Sequence, residues 1–292
     1  MYDLNSVYVA MSMDEALEQM TLEKKTIING GTDVLVKIRS GKMEGADLLD
    51  ISHLQEISTI SMDENGNIHI GAGCRFTDIV RNALIQTYIP FLAEACDQVG
   101  SPQIRNVATI GGNICNGAVS ADSVPSLLVL NADLVLRRQK ASRTIPLSLF
   151  HTGPGKTVRN EEELLTDITI TKKNYLGYTG SYVKFGQRKA MEIATLSCAA
   201  AVRFCSDKKT IEDVRIAFGV AAPRPIRCYK MEDHLKGRFL DDEQLAFVRK
   251  HIIEELQPRD SWRASLEFRE ELISELSVRA LIRAAGRKAI LC

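Results

Sequence analysis

Two short runs constrain this chain more than any other feature: Asn29-Gly30-Gly31-Thr32-Asp33 and Thr109-Ile110-Gly111-Gly112-Asn113. Each follows an apolar, β-favouring stretch and breaks it with paired glycines. A glycine pair opens backbone angles closed to other residues and removes two Cβ atoms, so successive amide N–H groups can converge on an anion. Neighbouring threonine and asparagine side chains add donors. A lone Gly-Gly after a strand is more commonly only a turn, but two such turns suit a diphosphate gripped from two sides. Neither run fits the dinucleotide fingerprint GxGxxG or the phosphate loop GxxxxGK[ST], so a nucleotide site here requires another fold.

The chain has 292 residues, more than one small core needs, and this predicts two domains. Ser12 and Glu15 have the spacing of a capping box, and Ala16, Leu17 and Met20 follow on one helical face. Thr26 to Ile51 then reads as strand, glycine loop, helix, strand. Thr77 reads as the cap of a helix through Leu84, and Pro90 to Val99 as a helix with proline in its first turn. Gly100 to Ser123 reads as a long polar loop with a strand signal only at Val107 to Ile110. Its Ile, Val and Ala content argues for function over disorder. Val124 to Leu130 is an apolar helix, for which Asp122 is the simplest N-cap; Asp133 to Arg138 and Leu164 to Thr171 are strands.

Asn, Gly and Thr cluster between Asn174 and Gly180, which marks a boundary. Beyond it, Ser181 to Gln187, Ser197 to Cys205 and Asp213 to Gly219 read as antiparallel strands. Val214, Ile216 and Phe218 alternate as in a half-buried strand. The tail turns helical over Asp241 to Leu256 and Ala264 to Ala285. Taken singly, Lys184 reads as a solvated edge residue, Cys115 as a small buried packing residue, and Trp262 as a core or interface anchor. Arg105 and Arg188 read as solvated surface residues.

Lys plus Arg equals Asp plus Glu at 37 each, so the basic field of a nucleic-acid binder is absent. The seven cysteines form no CxxC, and the five histidines are scattered, so no metal or iron–sulfur ligand set is expected. An acidic N-terminal stretch without an apolar run, and no apolar run near 20 residues elsewhere, predict a cytoplasmic protein off the membrane.

The run QIRNVATIGGNICNGAVSADS, from Gln103 to Ser123, resembles the second flavin loop of the medium, FAD-binding subunit of molybdenum hydroxylases. TIINGGTDVLV (Thr26 to Val36) resembles the first loop of that family, and YVKFGQR and WRASLEFR resemble parts of its C-terminal domain. Within the family the likeness is to bacterial xanthine dehydrogenase FAD subunits. The resemblance implies an α+β protein with the FAD-binding fold of the vanillyl-alcohol oxidase type: two α+β subdomains, about 1–55 and 56–175, then an antiparallel sheet and helix domain over 176–292. It implies that Ile27, Ile28, Asn29, Gly30, Gly31, Thr32, Asp33 and Val34 line the adenosine and diphosphate side of FAD. Thr109, Ile110, Gly111, Gly112 and Asn113 would hold the diphosphate from the other side. Val99 would lie near the adenine, with Leu164 or Leu165 beside it. Asp122 would reach the ribityl or ring-edge atoms, Lys184 would face the ring, and Ile193 would lie over the ring face where NAD enters.

No residue of this chain would act as a general acid or base. Electrons from two 2Fe–2S clusters in a small partner subunit would pass through FAD to NAD, while a large subunit with the molybdenum cofactor oxidises a purine or related heterocycle. Some members carry an acidic residue two places before the ring-covering position; here Met191 stands there, with Glu192 beside it. Two other readings compete. One is a stand-alone flavin reductase of the same fold, such as UDP-N-acetylenolpyruvoylglucosamine reductase, for which no proton-donor motif is visible. The other is a nucleotide-binding scaffold without redox chemistry.

Overall fold

The computed structural model describes residues 3–188 and 190–286. The chain opens with β1 (Leu4–Val9), α1 (Met13–Leu22), β2 (Thr26–Ile28), α2 (Val34–Arg39) and β3 (Ala46–Asp50), whose strands form a parallel sheet in the order β1-β3-β2. The cap half of the predicted box forms, with Ser12 Oγ accepting the Glu15 N–H at 3.2 Å; the Glu15 carboxylate accepts not from Ser12 but from the preceding Met11 N–H at 2.8 Å. The apolar face of α1, Met13, Ala16, Leu17 and Met20, then shares a core with Leu49, Ile51 and Leu54.

The second unit contains β4 (Ile60–Met62), β5 (Ile68–Gly71), α3 (Phe76–Arg81), α4 (Ala83–Tyr88), α5 (Pro90–Asp97), α6 (Pro102–Arg105), α7 (Ile110–Cys115) and α8 (Ser123–Val129). It continues with β6 (Asp133–Arg138), β7 (Ala141–Pro146), β8 (His151–Gly153), β9 (Lys156–Thr157) and β10 (Leu164–Ile170). Five of these strands make an antiparallel sheet in the order β4-β5-β10-β6-β7. Two expectations fail here. The stretch from Gly100 to Ser123 is not a long loop with a strand at Val107 to Ile110. It holds α6 and α7, and Ile110 opens α7 with Thr109 as its cap. Helices of four and six residues are too short to show a periodic pattern. Thr77 caps nothing: its hydroxyl bonds Asn106 Oδ1, and Asn82 instead splits the expected helix by capping α4 through the Leu84 and Ile85 amides.

The third unit is β11 (Thr179–Phe185), β12 (Leu196–Phe204), β13 (Ile211–Gly219), β14 (Ile226–Arg227), α9 (Tyr229–Leu235), α10 (Asp242–His251) and α11 (Leu266–Ala284). Its antiparallel sheet runs β11-β12-β13-β14. One face, Tyr182, Ala199, Ala201 and Ala217, joins the core of the second unit and packs on α5 and α8. The other face, Val183, Cys198, Ile216 and Phe218, is covered by α9 and α11. β13 is therefore buried on both faces rather than half-buried, because small residues on one side let α8 approach closely. Trp262, expected as a core or interface anchor, is not in the core, being 81% exposed. Among the described residues, no helix is long and apolar enough to cross a membrane.

Candidate functional site

The glycine turn after β2 and the segment leading into α7 lie against each other. A Cβ placed on Gly30 would stand 2.0 Å from the Val107 carbonyl oxygen, and one on Gly111 would stand 2.6 Å from the Ala72 oxygen. Both glycines therefore serve close backbone approach, while Gly31, at φ +69°, supplies the left-handed angle of the first turn. Between the turns opens a cavity of about 450 Å³, within the usual range of small-molecule sites. Ile27 through Val34 form one wall, and Thr109, Gly111, Gly112 and Asn113 another; Val99, Leu164, Leu165 and Phe76 add apolar surface.

The two walls differ in what they offer. The α7 amides are already engaged: Ile110 N–H with the Cys74 carbonyl at 3.0 Å, Gly111 with Ala72 at 2.8 Å, Gly112 with Thr109 Oγ1 at 3.2 Å, and Asn113 with Thr109 at 3.0 Å. The expected symmetric clasp by amides of both turns is thus corrected. In the first turn, among the described residues, the N–H groups of Asn29, Gly30, Gly31, Thr32, Asp33 and Val34 donate to no backbone acceptor. Six successive unengaged donors beside a cavity form a ready-made cradle for a polyanion. The α7 wall contributes side chains: the Thr109 hydroxyl proton and the Asn113 carboxamide, whose Oδ1 accepts from Ser123 Oγ at 2.8 Å.

Sequence reading missed the cations. Lys24, Lys25, Lys37 and Arg159 line the cavity against only Asp33 and Glu161. Lys37 pairs with Asp33 and bonds Asn116 Oδ1 at 3.1 Å, and Lys24 pairs with Glu161 across the cavity edge. The Lys25 side chain is only 6% exposed and pairs with Glu23 at 3.0 Å. These residues come from three separated segments, so no local motif announces them. The excess of cations has the sign a diphosphate needs. Cys115, expected as buried packing, also reaches this cavity wall, and burial raises its thiol to about 11.

Four expected site residues stand outside the cavity lining. Ile110, the first residue of α7, is fully buried, and Ile193 is exposed at the surface. Asp122 is no helix cap: its backbone is helical and its carboxylate accepts from Tyr182 Oη at 2.7 Å and Lys184 Nζ at 2.8 Å. Lys184, likewise, is no solvated edge residue, since its ammonium is buried and also donates to the Gln98 carbonyl at 2.9 Å. Burial pushes the Asp122 carboxyl above the usual range, against the pull of the Lys184 ammonium and the Tyr182 hydroxyl. The pair adjoins the cavity on two sides, through Gln98 beside Val99 and through Ser123 bonded to Asn113.

α7 is also supported by His151, whose Nε2–H donates to the Ile114 carbonyl at 2.9 Å. Burial holds this imidazole below its usual value near 6.5, with the carbonyl bond opposing and Arg224 adding to the effect. A depressed folded pKa means the unfolded chain takes the proton first. The stability this group contributes is present above about pH 6.5 and is lost as pH falls through the folded value. His151→Gln is expected to lower the urea midpoint at pH 7.5, and the gap to the parent chain should narrow at pH 5.5. A gap that widens on acidification contradicts the assignment.

The chain is similar to known proteins along nearly its whole length. The family described as FAD binding domain in molybdopterin dehydrogenase matches residues 2–172, and that described as CO dehydrogenase flavoprotein C-terminal domain matches residues 181–284. The chain is 35% identical over 292 residues to the xanthine dehydrogenase FAD-binding subunit of Escherichia coli O157:H7, covering 99% of each. It is 29% identical over 282 residues to the glyceraldehyde dehydrogenase medium chain of Sulfolobus acidocaldarius, covering 96% of this chain and 98% of that one. A solved carbon monoxide dehydrogenase chain from Hydrogenophaga pseudoflava superposes with a TM-score of 0.92 at 25% identity, over 99% of this chain and 100% of that one. The α+β fold implied by the resemblance stands on this superposition. With a family match over more than half its length and full-length kinship to a xanthine dehydrogenase subunit, the chain belongs to the FAD-binding subunit family of the molybdenum hydroxylases.

Proposed function

We propose that the cavity between the two turns holds FAD, and that the chain carries electrons between an iron–sulfur partner and an external acceptor. The observation that carries this reading is the row of six unengaged amides from Asn29 to Val34, set beside an excess of cations. Those amides would take the diphosphate oxygens. The Thr109 hydroxyl and the Asn113 carboxamide would reach them from the α7 wall, where Gly111 and Gly112 border the cavity and Ile110 is buried. Val99, Leu164 and Leu165 would exclude water from the adenine side, and Asp122 with Lys184 would face the ring edge, with Ile193 over its face. When bound, FAD supplies the exchange between one-electron and two-electron transfer. The chain itself would hold the cofactor, set its electrostatic surroundings and leave one face open, with no residue acting as general acid or base.

The finer parts of the proposal extend the same reading. A division near residue 175 would separate the FAD-binding domain from a C-terminal domain that covers the flavin. A small subunit with 2Fe–2S clusters and a large subunit with the molybdenum cofactor would complete a cytoplasmic heterotrimer. NAD would be the acceptor, and a purine or related heterocycle the substrate of the large subunit. Reconstitution tests this in steps. The purified chain is expected to show flavin absorption, to release FAD on denaturation, and to be bleached by NADH. A folded chain that takes up no FAD contradicts the cofactor assignment, and a loaded chain that NADH leaves oxidised contradicts the acceptor.

A further inference from the structure

We propose that Ser123 is a positioning residue: its buried hydroxyl orients the Asn113 carboxamide so that Nδ2, a donor, faces the cavity. The inference rests on the FAD reading above and assigns a role to a side chain that does not line the cavity. A carboxamide has nearly the same shape with its oxygen and nitrogen exchanged, so only its hydrogen-bond partners decide which end points where. Asn113 lines the cavity, and its other end meets Ser123 Oγ at 2.8 Å. Ser123 is wholly buried, and among the described residues Asn113 Oδ1 is the acceptor its hydroxyl proton finds. Were Nδ2 turned toward Ser123, that proton would be left buried without an acceptor, a penalty of about 1–3 kcal/mol. Oδ1 therefore faces Ser123, and the two Nδ2 hydrogens are left for the cavity side.

Ser123 can hold this orientation because its own position is fixed from the C-terminal sheet. The adjacent Asp122 carboxylate is gripped by Tyr182 Oη at 2.7 Å and Lys184 Nζ at 2.8 Å, both carried on β11. Lys184 also bonds the Gln98 carbonyl at 2.9 Å, next to the cavity residue Val99. Ser123 is the first residue of α8, which packs on β12 and β13. A donor held in place before the ligand arrives loses less freedom on binding than one that must be ordered by it.

A double-mutant cycle on FAD affinity, read by flavin fluorescence on the full chain, tests the proposal. Ser123→Ala removes one oxygen and creates no steric demand, so the apoprotein is expected to fold. It should bind FAD about tenfold more weakly, the loss of one oriented hydrogen bond. Asn113→Ala should weaken binding at least as much, and Ser123→Ala added to it should change the affinity no further. The urea midpoint of each apoprotein is measured alongside. A role confined to stability predicts a lowered midpoint and a loss of affinity that persists in the Asn113→Ala background; that result overturns the proposal, as does unchanged affinity in Ser123→Ala. If the parent chain takes up no FAD, the functional reading falls and this inference with it. If the parent binds FAD and Ser123→Ala binds it equally well, only the positioning role falls.

Discussion

Alanine at position 30 is expected to destabilise the chain by about 3 kcal/mol, the upper end of the overpacking range, and to abolish FAD retention through gel filtration. The added methyl would stand 2.0 Å from the Val107 carbonyl oxygen, 2.6 Å from its carbon and 2.9 Å from Ala108 Cα. All three are backbone atoms of the segment that enters α7, so no side chain can swing aside. The first turn and the α7 wall must separate, and the spacing between the unengaged amides and the Thr109 and Asn113 side chains is lost with them. Gly153→Ala provides the control, since a Cβ there meets nothing within 4 Å. That variant should unfold within about 0.5 kcal/mol of the parent and keep its flavin. Equal behaviour of the two variants in urea would show that the turns are not in steric contact.

Arg215→Met is expected to lower stability by about 3–5 kcal/mol, read as a fall in urea midpoint at an unchanged slope. The Arg215 guanidinium is buried and donates to the Val129 carbonyl at 3.0 Å and the Asn174 carbonyl at 3.1 Å, linking β13 to the end of α8 and to the segment before β11. It also donates to Tyr178 Oη at 2.6 Å, contacts Asp213 at 3.1 Å, and stacks 4.3 Å from the Tyr178 ring centroid. Burial, with the bond to Asp213, raises the Tyr178 hydroxyl to about 12, so it stays protonated and donates to that carboxylate. Methionine fills the volume but leaves two buried carbonyls without donors and Asp213 without its guanidinium. Arg215→Lys, with a single ammonium in place of the fork, should recover only part of the loss. A loss below about 1 kcal/mol in Arg215→Met would place the cost of desolvating the guanidinium near the value of all its bonds.

Strong local patterns in the sequence carry over well. Ser12 caps α1, the runs Asp133 to Arg138 and Leu164 to Thr171 are the strands β6 and β10, and the three runs between Ser181 and Gly219 are the antiparallel strands β11, β12 and β13. What escapes local reading is set by distance in the chain. Asp122 has the residue type and position of an N-cap, and only the arrival of Tyr182 and Lys184 from β11 gives its carboxylate other partners. The cavity cations sit at Lys24, Lys25, Lys37 and Arg159, too scattered to form a motif. The first glycine pair is legible as a turn; the second lies inside α7, and which amides stay unengaged is not legible in either. Whether an amide is engaged depends on carbonyls of Ala72 and Cys74, about 40 residues upstream of α7.

The central claim is that the first turn's amides receive the diphosphate of FAD, and amide hydrogen exchange on the apoprotein and the FAD-loaded chain tests it residue by residue. The amides of Asn29 to Val34 should exchange rapidly in the apoprotein, having no backbone acceptor, and become strongly protected when FAD is bound. Those of Ile110 to Asn113, already bonded, should be protected in both states. FAD binding that leaves exchange at 29–34 unchanged would contradict the claim.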